Sequence, residues 1–128
     1  MHTTDHPNWI KEFPAPITVC DAEGIILSMN NAALALFDGD GGEQLIGTNV
    51  LDCHPEPSRS KLIGMLKQGR ANTYTIRKKG RMKLITQQPW YRDGLFAGIV
   101  EISIVLPDPL PHHDRDAATI PGIAEPDA

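Results

Sequence analysis

The side chains best suited to chemistry lie together in one short loop. Asp52, Cys53 and His54 are consecutive there, and Pro55 follows them. A thiolate and an imidazole can both ligate haem iron or other metals, but two adjacent ligands fall short of the roughly four that a structural zinc site needs. His54 therefore has three open interpretations: a haem or metal ligand, a redox or pH-sensitive group beside Cys53, or a histidine that only forms hydrogen bonds within the loop.

The same loop contains the residue types of a hydrolytic triad. Asp52, His54 and Ser58 lie so close along one loop that they are poorly placed to form a proton relay. The glycine-rich stretch at 39–42 follows a helix-like segment and lacks the Lys-Ser/Thr pair of a phosphate-binding loop. We therefore predict that the protein is not an enzyme. A small α+β catalytic domain that uses the loop of Asp52, Cys53 and His54 is the alternative.

Charge is distributed unevenly along the 128 residues. Residues 107–128 contain five of the 16 acidic and one of the 12 basic side chains, which accounts for the whole net charge of -4. They also contain five of the 11 prolines, so we predict a disordered, acidic, proline-rich tail. The neutral remainder argues against nucleic-acid binding, which needs a net basic face.

Hydropathy and the number and spacing of cysteines indicate where in the cell the protein is located. No apolar run reaches the roughly 20 residues that a membrane-spanning helix needs, and the N-terminus lacks the pattern of a secretory signal. The two cysteines form no CxxC pair, which is typical of a reducing compartment. These features predict a cytoplasmic protein with no membrane segment.

Two apolar runs around a tight turn predict a β-hairpin near the N-terminus. Residues 17–20 and 25–29 flank an Asp-Ala-Glu-Gly sequence, which suits a type I turn. Asn30 and Asn31 are both good N-cap residues for a helix over 32–37.

A longer helix and three strands are predicted in the second half. Ser58 can cap a helix over 59–68, and Gly69 stands where a C-cap belongs. Apolar residues then recur at every second position, which predicts strands at 73–76, 82–88 and 96–106. The basic turn at 77–81 is typical of a solvated hairpin tip, with phosphate or nucleic-acid binding as the alternative.

This order of elements predicts an α+β fold, with a five-stranded antiparallel sheet that carries short helices and one longer helix on one face.

Over residues 9–106 the sequence resembles a PAS domain. The matching segments are Phe-Pro-Ala-Pro-Ile at 13–17, Val-Cys-Asp-Ala-Glu-Gly at 19–24, Asn-Asn-Ala-Ala at 30–33, Ile46-Gly47, and Arg92-Asp93-Gly94 followed by Gly98. The stretch 47–58 is further similar to a bacterial and archaeal subset with a Cys-His-Pro-x-x-Ser loop.

The resemblance implies a sensory or protein-interaction module of bacterial-type signal transduction. It implies a homodimer, a protein signalling partner and a cavity between the sheet and the helices. Some family members hold haem through a histidine on this side of the cavity, so haem at His54 and a small apolar ligand are both candidates. Most members are fused to an output domain, so this chain is either a stand-alone module or a piece of a larger protein.

The cavity implied by the resemblance has a predicted wall of largely apolar residues. The predicted cofactor-binding residues are Cys53, His54, Leu62, Leu66, Tyr74, Leu84 and Ile102, with His54 also the candidate metal ligand. Val19, Leu27, Leu36, Phe37 and Val50 complete the predicted wall. The apolar members of this set serve equally well as a filled core, so the two interpretations stay open.

Three segments are predicted along the chain. Residues 1–13 form an N-terminal helical cap, residues 14–106 the PAS-like domain and residues 107–128 the tail. Trp9 and Phe13 have helix-like spacing, so we expect the cap to pack on the sheet or on a second subunit.

Overall fold

Five antiparallel strands form one sheet with the spatial order β2-β1-β5-β4-β3. The computed structural model describes residues 7–116 of the chain. The strands are β1 (Ile17–Asp21), β2 (Ile26–Met29), β3 (Asn72–Lys78), β4 (Arg81–Arg92) and β5 (Leu95–Val105). The predicted α+β fold with a five-stranded antiparallel sheet is confirmed.

Two α-helices and three 3-10 turns connect β2 to β3. The helices are α1 (Asn31–Leu36) and α2 (Ser58–Gln68), and the turns are Asp38–Asp40, Gly42–Leu45 and Val50–Cys53. Of the two candidate caps of α1, Asn30 is the one used, because its Oδ1 accepts a hydrogen bond from the Ala33 amide at 3.0 Å.

The start of α2 differs from the prediction. Pro57, rather than Ser58, is the N-cap residue, and it makes no side-chain hydrogen bond. Glu56 replaces the missing cap: its carboxylate accepts from the Ser60 amide at 2.7 Å and also from the Ser60 hydroxyl. These hydrogen bonds lower the pKa of Glu56, because they stabilise the ionised carboxylate. At its other end α2 stops at Gly69, which has the left-handed conformation of a C-cap glycine.

Apolar residues between the helices and the sheet form two clusters. The first contains Cys20, Leu62, Met65 and Ile99, and it packs α2 against β1 and β5. The second contains Ile26, Met29 and Ala33, and it packs α1 against β2. Because both clusters lie on one side of the sheet, we call that side the inner face and the opposite side the outer face.

Neither a helix nor a strand is present in the described residues before β1, 7–16, or in those after β5, 106–116. Residues 9–12 form turns, with hydrogen bonds from the Trp9 amide to the Pro7 carbonyl and from Phe13 to Ile10, so the predicted helical cap is wrong over 7–13. Residues 107–116 are exposed and irregular, while the rest of the predicted cap and tail lies outside the described residues. Within residues 7–116, no helix has the length and apolarity to cross a membrane.

Candidate functional site

Three adjoining cavities lie between the inner face and the helices, and His54 lines all of them. Their volumes are about 450, 240 and 40 Å³. We call the cavity of about 450 Å³ the central cleft. Its lining residues are Thr18, Ile26, Met29, Phe37, Asp40, Leu45, Val50, Cys53, His54 and Glu101.

His54 is half-buried directly after the turn Val50–Cys53, and one hydrogen bond fixes its ring. Its Nδ1 lies 2.6 Å from the Val50 carbonyl oxygen. Because a carbonyl oxygen can only accept, Nδ1 must carry the proton and donate it. In the neutral imidazole the lone pair is then on Nε2, so His54 can accept a hydrogen bond or ligate through that atom.

Polar side chains on three neighbouring strands form the floor of the site. The Asn72 amide donates to Gln87 Oε1 at 3.1 Å, and the Gln87 amide donates to Glu101 Oε1 at 2.8 Å. We call these three residues the polar ladder. Gln87 is only 7% exposed, and buried polar groups hold their positions when they are satisfied in this way. The ladder therefore orients the Glu101 carboxylate at the edge of the central cleft.

Tyr74 belongs to the cavity of about 240 Å³, beside two residues of the polar ladder. Burial raises the pKa of the Tyr74 phenol, and the negative charge of Glu101 raises this pKa further. The phenol therefore stays protonated at neutral pH and can donate a hydrogen bond.

The two cysteines have opposite environments. Cys53 is exposed at the wall of the central cleft, whereas Cys20 belongs to the buried core. Burial raises the pKa of the Cys20 thiol, because a thiolate there would lose its solvation.

We expect an aromatic disulfide reagent to modify the native protein in one fast phase, with Cys20 reacting at least about tenfold more slowly than Cys53, because attack requires an accessible thiolate. Absorbance of the released thiol follows the reaction. Cys53→Ser should remove the fast phase and Cys20→Ser should leave it unchanged. A fast phase that survives Cys53→Ser would contradict the assignment.

Seven of the predicted wall residues lie around the cleft. Phe37, Val50, Cys53 and His54 line the central cleft, Leu62 and Tyr74 line the adjoining cavity, and Leu66 packs against the core cluster of α2. The structure thus brings the loop of Cys53 and His54 together with the end of β2, α1 and the inner face.

Five other predicted wall residues are placed elsewhere. Val19, Leu84 and Ile102 lie on the outer face, because their strand neighbours Thr18, Ile85 and Glu101 occupy the inner one. Leu27 and Leu36 are 46% and 38% exposed. The physical reason is that the apolar face of β5 points away from the helices, while its partly polar face points inward.

The sequence did not single out Thr18, Asn72, Gln87 and Glu101 as site residues. Each lies in a strand, where polar residues at every second position ordinarily mark the face that meets solvent, so none of them was expected to line a site. The available signal was Glu101, the one charged residue in the largely apolar strand β5, at a position that pairs directly with Gln87.

Neither a catalytic relay nor a metal centre is assembled at the loop. His54 donates its Nδ1 proton to a backbone carbonyl, whereas a hydrolytic relay needs a carboxylate there, and both Asp52 and Ser58 are exposed. Within residues 7–116, no three His, Cys, Asp or Glu side chains lie close enough together to hold a metal ion.

Comparison with known proteins identifies the fold. The family model of the PAS fold matches residues 10–74, while none of the curated proteins is detectably similar in sequence. Among solved structures, a C-terminal domain from Streptococcus mutans is 21% identical with a TM-score of 0.61, covering 75% of this chain and 78% of that one. The PAS domain of BvgS from Bordetella pertussis is 23% identical with a TM-score of 0.59, covering 77% and 81%.

A third similar structure is the Aer2 receptor of Vibrio cholerae, described as a dual PAS-haem oxygen sensor. It is 20% identical with a TM-score of 0.55, and the match covers 73% of this chain and 95% of that one. At these identities the solved structures show the shared fold, and the family model covers half of the sequence. The chain therefore belongs to the PAS fold family.

Proposed function

We propose that this module senses a small organic ligand bound in the central cleft, with His54 as one of its contacts. The observation that carries the proposal is the placement of His54, which lines all three cavities while its hydrogen bond to Val50 engages Nδ1 and leaves Nε2 for a ligand. The volume of about 450 Å³ is within the range of small-molecule sites. The Cys-His-Pro-x-x-Ser loop, in this proposal, marks a PAS subset that uses this histidine.

The side chains around the cleft fit a small ligand better than haem. His54 offers one imidazole nitrogen, but the floor opposite it carries the amide of Gln87 and the carboxylate of Glu101. Covering the carboxylate of Glu101 with the largely apolar porphyrin ring would cost free energy, because the carboxylate would lose hydration without gaining a hydrogen-bond partner. A visible haem absorption band that disappears in His54→Ala would replace the present proposal.

The outer face supports the proposal that the module works as a homodimer with a signalling partner. Apolar side chains of neighbouring strands share this face: Val19, Leu84, Val100, Ile102 and Ile104. Ile104 is 40% exposed there, and contiguous apolar surface is typical of interfaces. The free thiols Cys20 and Cys53 support the further proposal of a cytoplasmic location.

Sedimentation at micromolar protein concentration tests the dimer. We expect the wild type to be a dimer and Ile104→Glu to be a monomer, because a carboxylate would have to be buried in the apolar interface. Leu95→Glu is the matched control, since Leu95 lies at the β4–β5 turn and is already 73% exposed. A monomeric wild type, or equal effects of both changes, would contradict the interface.

The ligand site is tested by titrating the protein with benzyl alcohol, a neutral probe small enough to enter the central cleft. In amide-proton and nitrogen correlation spectra, we expect saturable shifts at Thr18, Val50 and His54. Val50→Phe should abolish them by placing a phenyl ring in the part of the central cleft that His54 lines, and its melting curve shows whether the fold is intact.

Leu95→Phe is the control, because it adds a phenyl ring far from the cleft, and it should bind the probe like the wild type. Absence of saturable shifts in the wild type, or shifts that persist in a folded Val50→Phe variant, would overturn the proposal.

A further inference from the structure

The hydrogen bonds of the polar ladder run in one direction, from Asn72 through Gln87 to the acceptor Glu101. Gln87 uses its carbonyl to accept from Asn72 and its amide to donate to Glu101. One oxygen of the Glu101 carboxylate receives that bond, and a carboxylate has about four lone-pair positions, all of them accepting. At the floor of the site, the Glu101 carboxylate can therefore accept further hydrogen bonds but cannot donate one.

Two further groups that line the central cleft are acceptors. In its neutral ring His54 has the lone pair on Nε2, because Nδ1 donates to Val50, and Asp40 contributes a second carboxylate at the rim. Among the described residues that line the central cleft, none is Lys or Arg. The Thr18 hydroxyl, which can donate or accept, and the Cys53 thiol also line the cleft, and the rest of its wall is apolar, with Ile26 and Phe37 among its members.

We propose that the central cleft selects a small organic cation, an amine with a short apolar body, over neutral and anionic molecules of the same shape. This inference rests on the proposed function of the cleft and names its ligand class. An ammonium group has three donors and no acceptor, which matches Glu101 and His54 Nε2. A charge-assisted hydrogen bond is stronger than a neutral one, and the apolar wall accommodates the body of the ligand.

Three probes of one shape test the preference: benzylammonium, benzyl alcohol and benzoate, titrated separately at neutral pH and followed by the amide shifts of Thr18, Val50 and His54. We expect benzylammonium to bind about tenfold more tightly than benzyl alcohol, as a hydrogen bond to a charged group predicts. Benzoate should bind more weakly than benzyl alcohol, because it meets carboxylates of its own sign.

Two variants locate the source of the preference. Glu101→Gln keeps the shape and removes the charge, so the advantage of benzylammonium over benzyl alcohol should disappear. Asp40→Asn, at an exposed position, should reduce the same advantage about twofold, because the variant loses a Coulomb attraction that acts across solvent. Glu43→Gln is the matched control on an exposed turn outside the cleft, and it should leave the affinities unchanged.

The outcomes separate the two proposals. If none of the three probes gives saturable shifts at the cleft, the proposed function fails. If benzyl alcohol binds as tightly as benzylammonium, or if both folded variants keep the full preference, the cleft binds ligands but the inference about their charge is wrong.

Discussion

Asn30→Ala is expected to lower the free energy of unfolding by about 3 kcal/mol, because it removes a helix cap and leaves buried backbone groups unsatisfied. Asn30 is 4% exposed, and its Oδ1 accepts from the amides of Ile17 at 2.9 Å and Ala33 at 3.0 Å. Its amide donates to the Ala15 carbonyl at 2.8 Å. One side chain therefore joins the start of β1, the start of α1 and the segment before the sheet.

Urea denaturation measures this effect, and the neighbouring asparagine supplies the control. Asn31 is exposed at the first position of α1, so Asn31→Ala should change stability by less than about 0.5 kcal/mol. Similar losses from both substitutions would show that the capping role is not specific to Asn30.

Gly98→Ala is expected to destabilise the protein by about 3 kcal/mol or more, because the new methyl group has no room. A Cβ at Gly98 would lie 1.9 Å from the Cys20 carbonyl oxygen and 2.8 Å from Asp21 backbone atoms. Gly98 pairs directly with Asp21, so β1 and β5 would have to separate locally. Its φ of +150° is also a conformation that an alanine rarely adopts.

Thermal and urea denaturation measure the loss, with Gly39→Ala as the matched control. A Cβ at Gly39 meets no atom within 4 Å, and its backbone conformation is open to other residues. We expect the control to unfold close to the wild type. A Gly98→Ala protein of wild-type stability would mean that β1 and β5 do not approach each other as described.

Local chemistry made much of the fold predictable from the sequence. The Asp-Ala-Glu-Gly turn, the Gly69 cap of α2 and the alternating strands of the second half act through neighbouring residues, and each was confirmed. The start of α2 was less predictable, because a side chain outside the helix, Glu56, replaced the expected Ser58 cap.

The inner face of the sheet could not be predicted in the same way. A period of two separates the faces of β5 but does not say which one meets the helices, and the more apolar face was the natural choice. That choice placed Ile102 and Leu84 in the pocket, although they lie on the outer face. The polar residues Gln87 and Glu101 can occupy the inner face because they satisfy each other across the sheet, which depends on strand pairing.

The loop of Cys53 and His54 was recognisable from its residue types, but its geometry was not. The tautomer of His54 depends on the Val50 carbonyl, four residues earlier in the chain, which only the turn Val50–Cys53 brings within 2.6 Å of Nδ1. This contact engages Nδ1 with a backbone carbonyl instead of a carboxylate. The loop therefore presents one imidazole nitrogen, Nε2, and no catalytic relay.

The claim that His54 contacts a ligand in the central cleft is tested most directly by the nitrogen chemical shifts of its imidazole. These shifts are recorded with and without benzyl alcohol, and the His54→Gln variant assigns them. The structure predicts that Nδ1 carries a proton in the free protein, and that a shift confined mainly to Nε2 appears when the probe saturates the cleft. A free ring with no proton on Nδ1, or an imidazole that does not respond to a probe bound at the cleft, would contradict the assignment of His54 as a ligand contact.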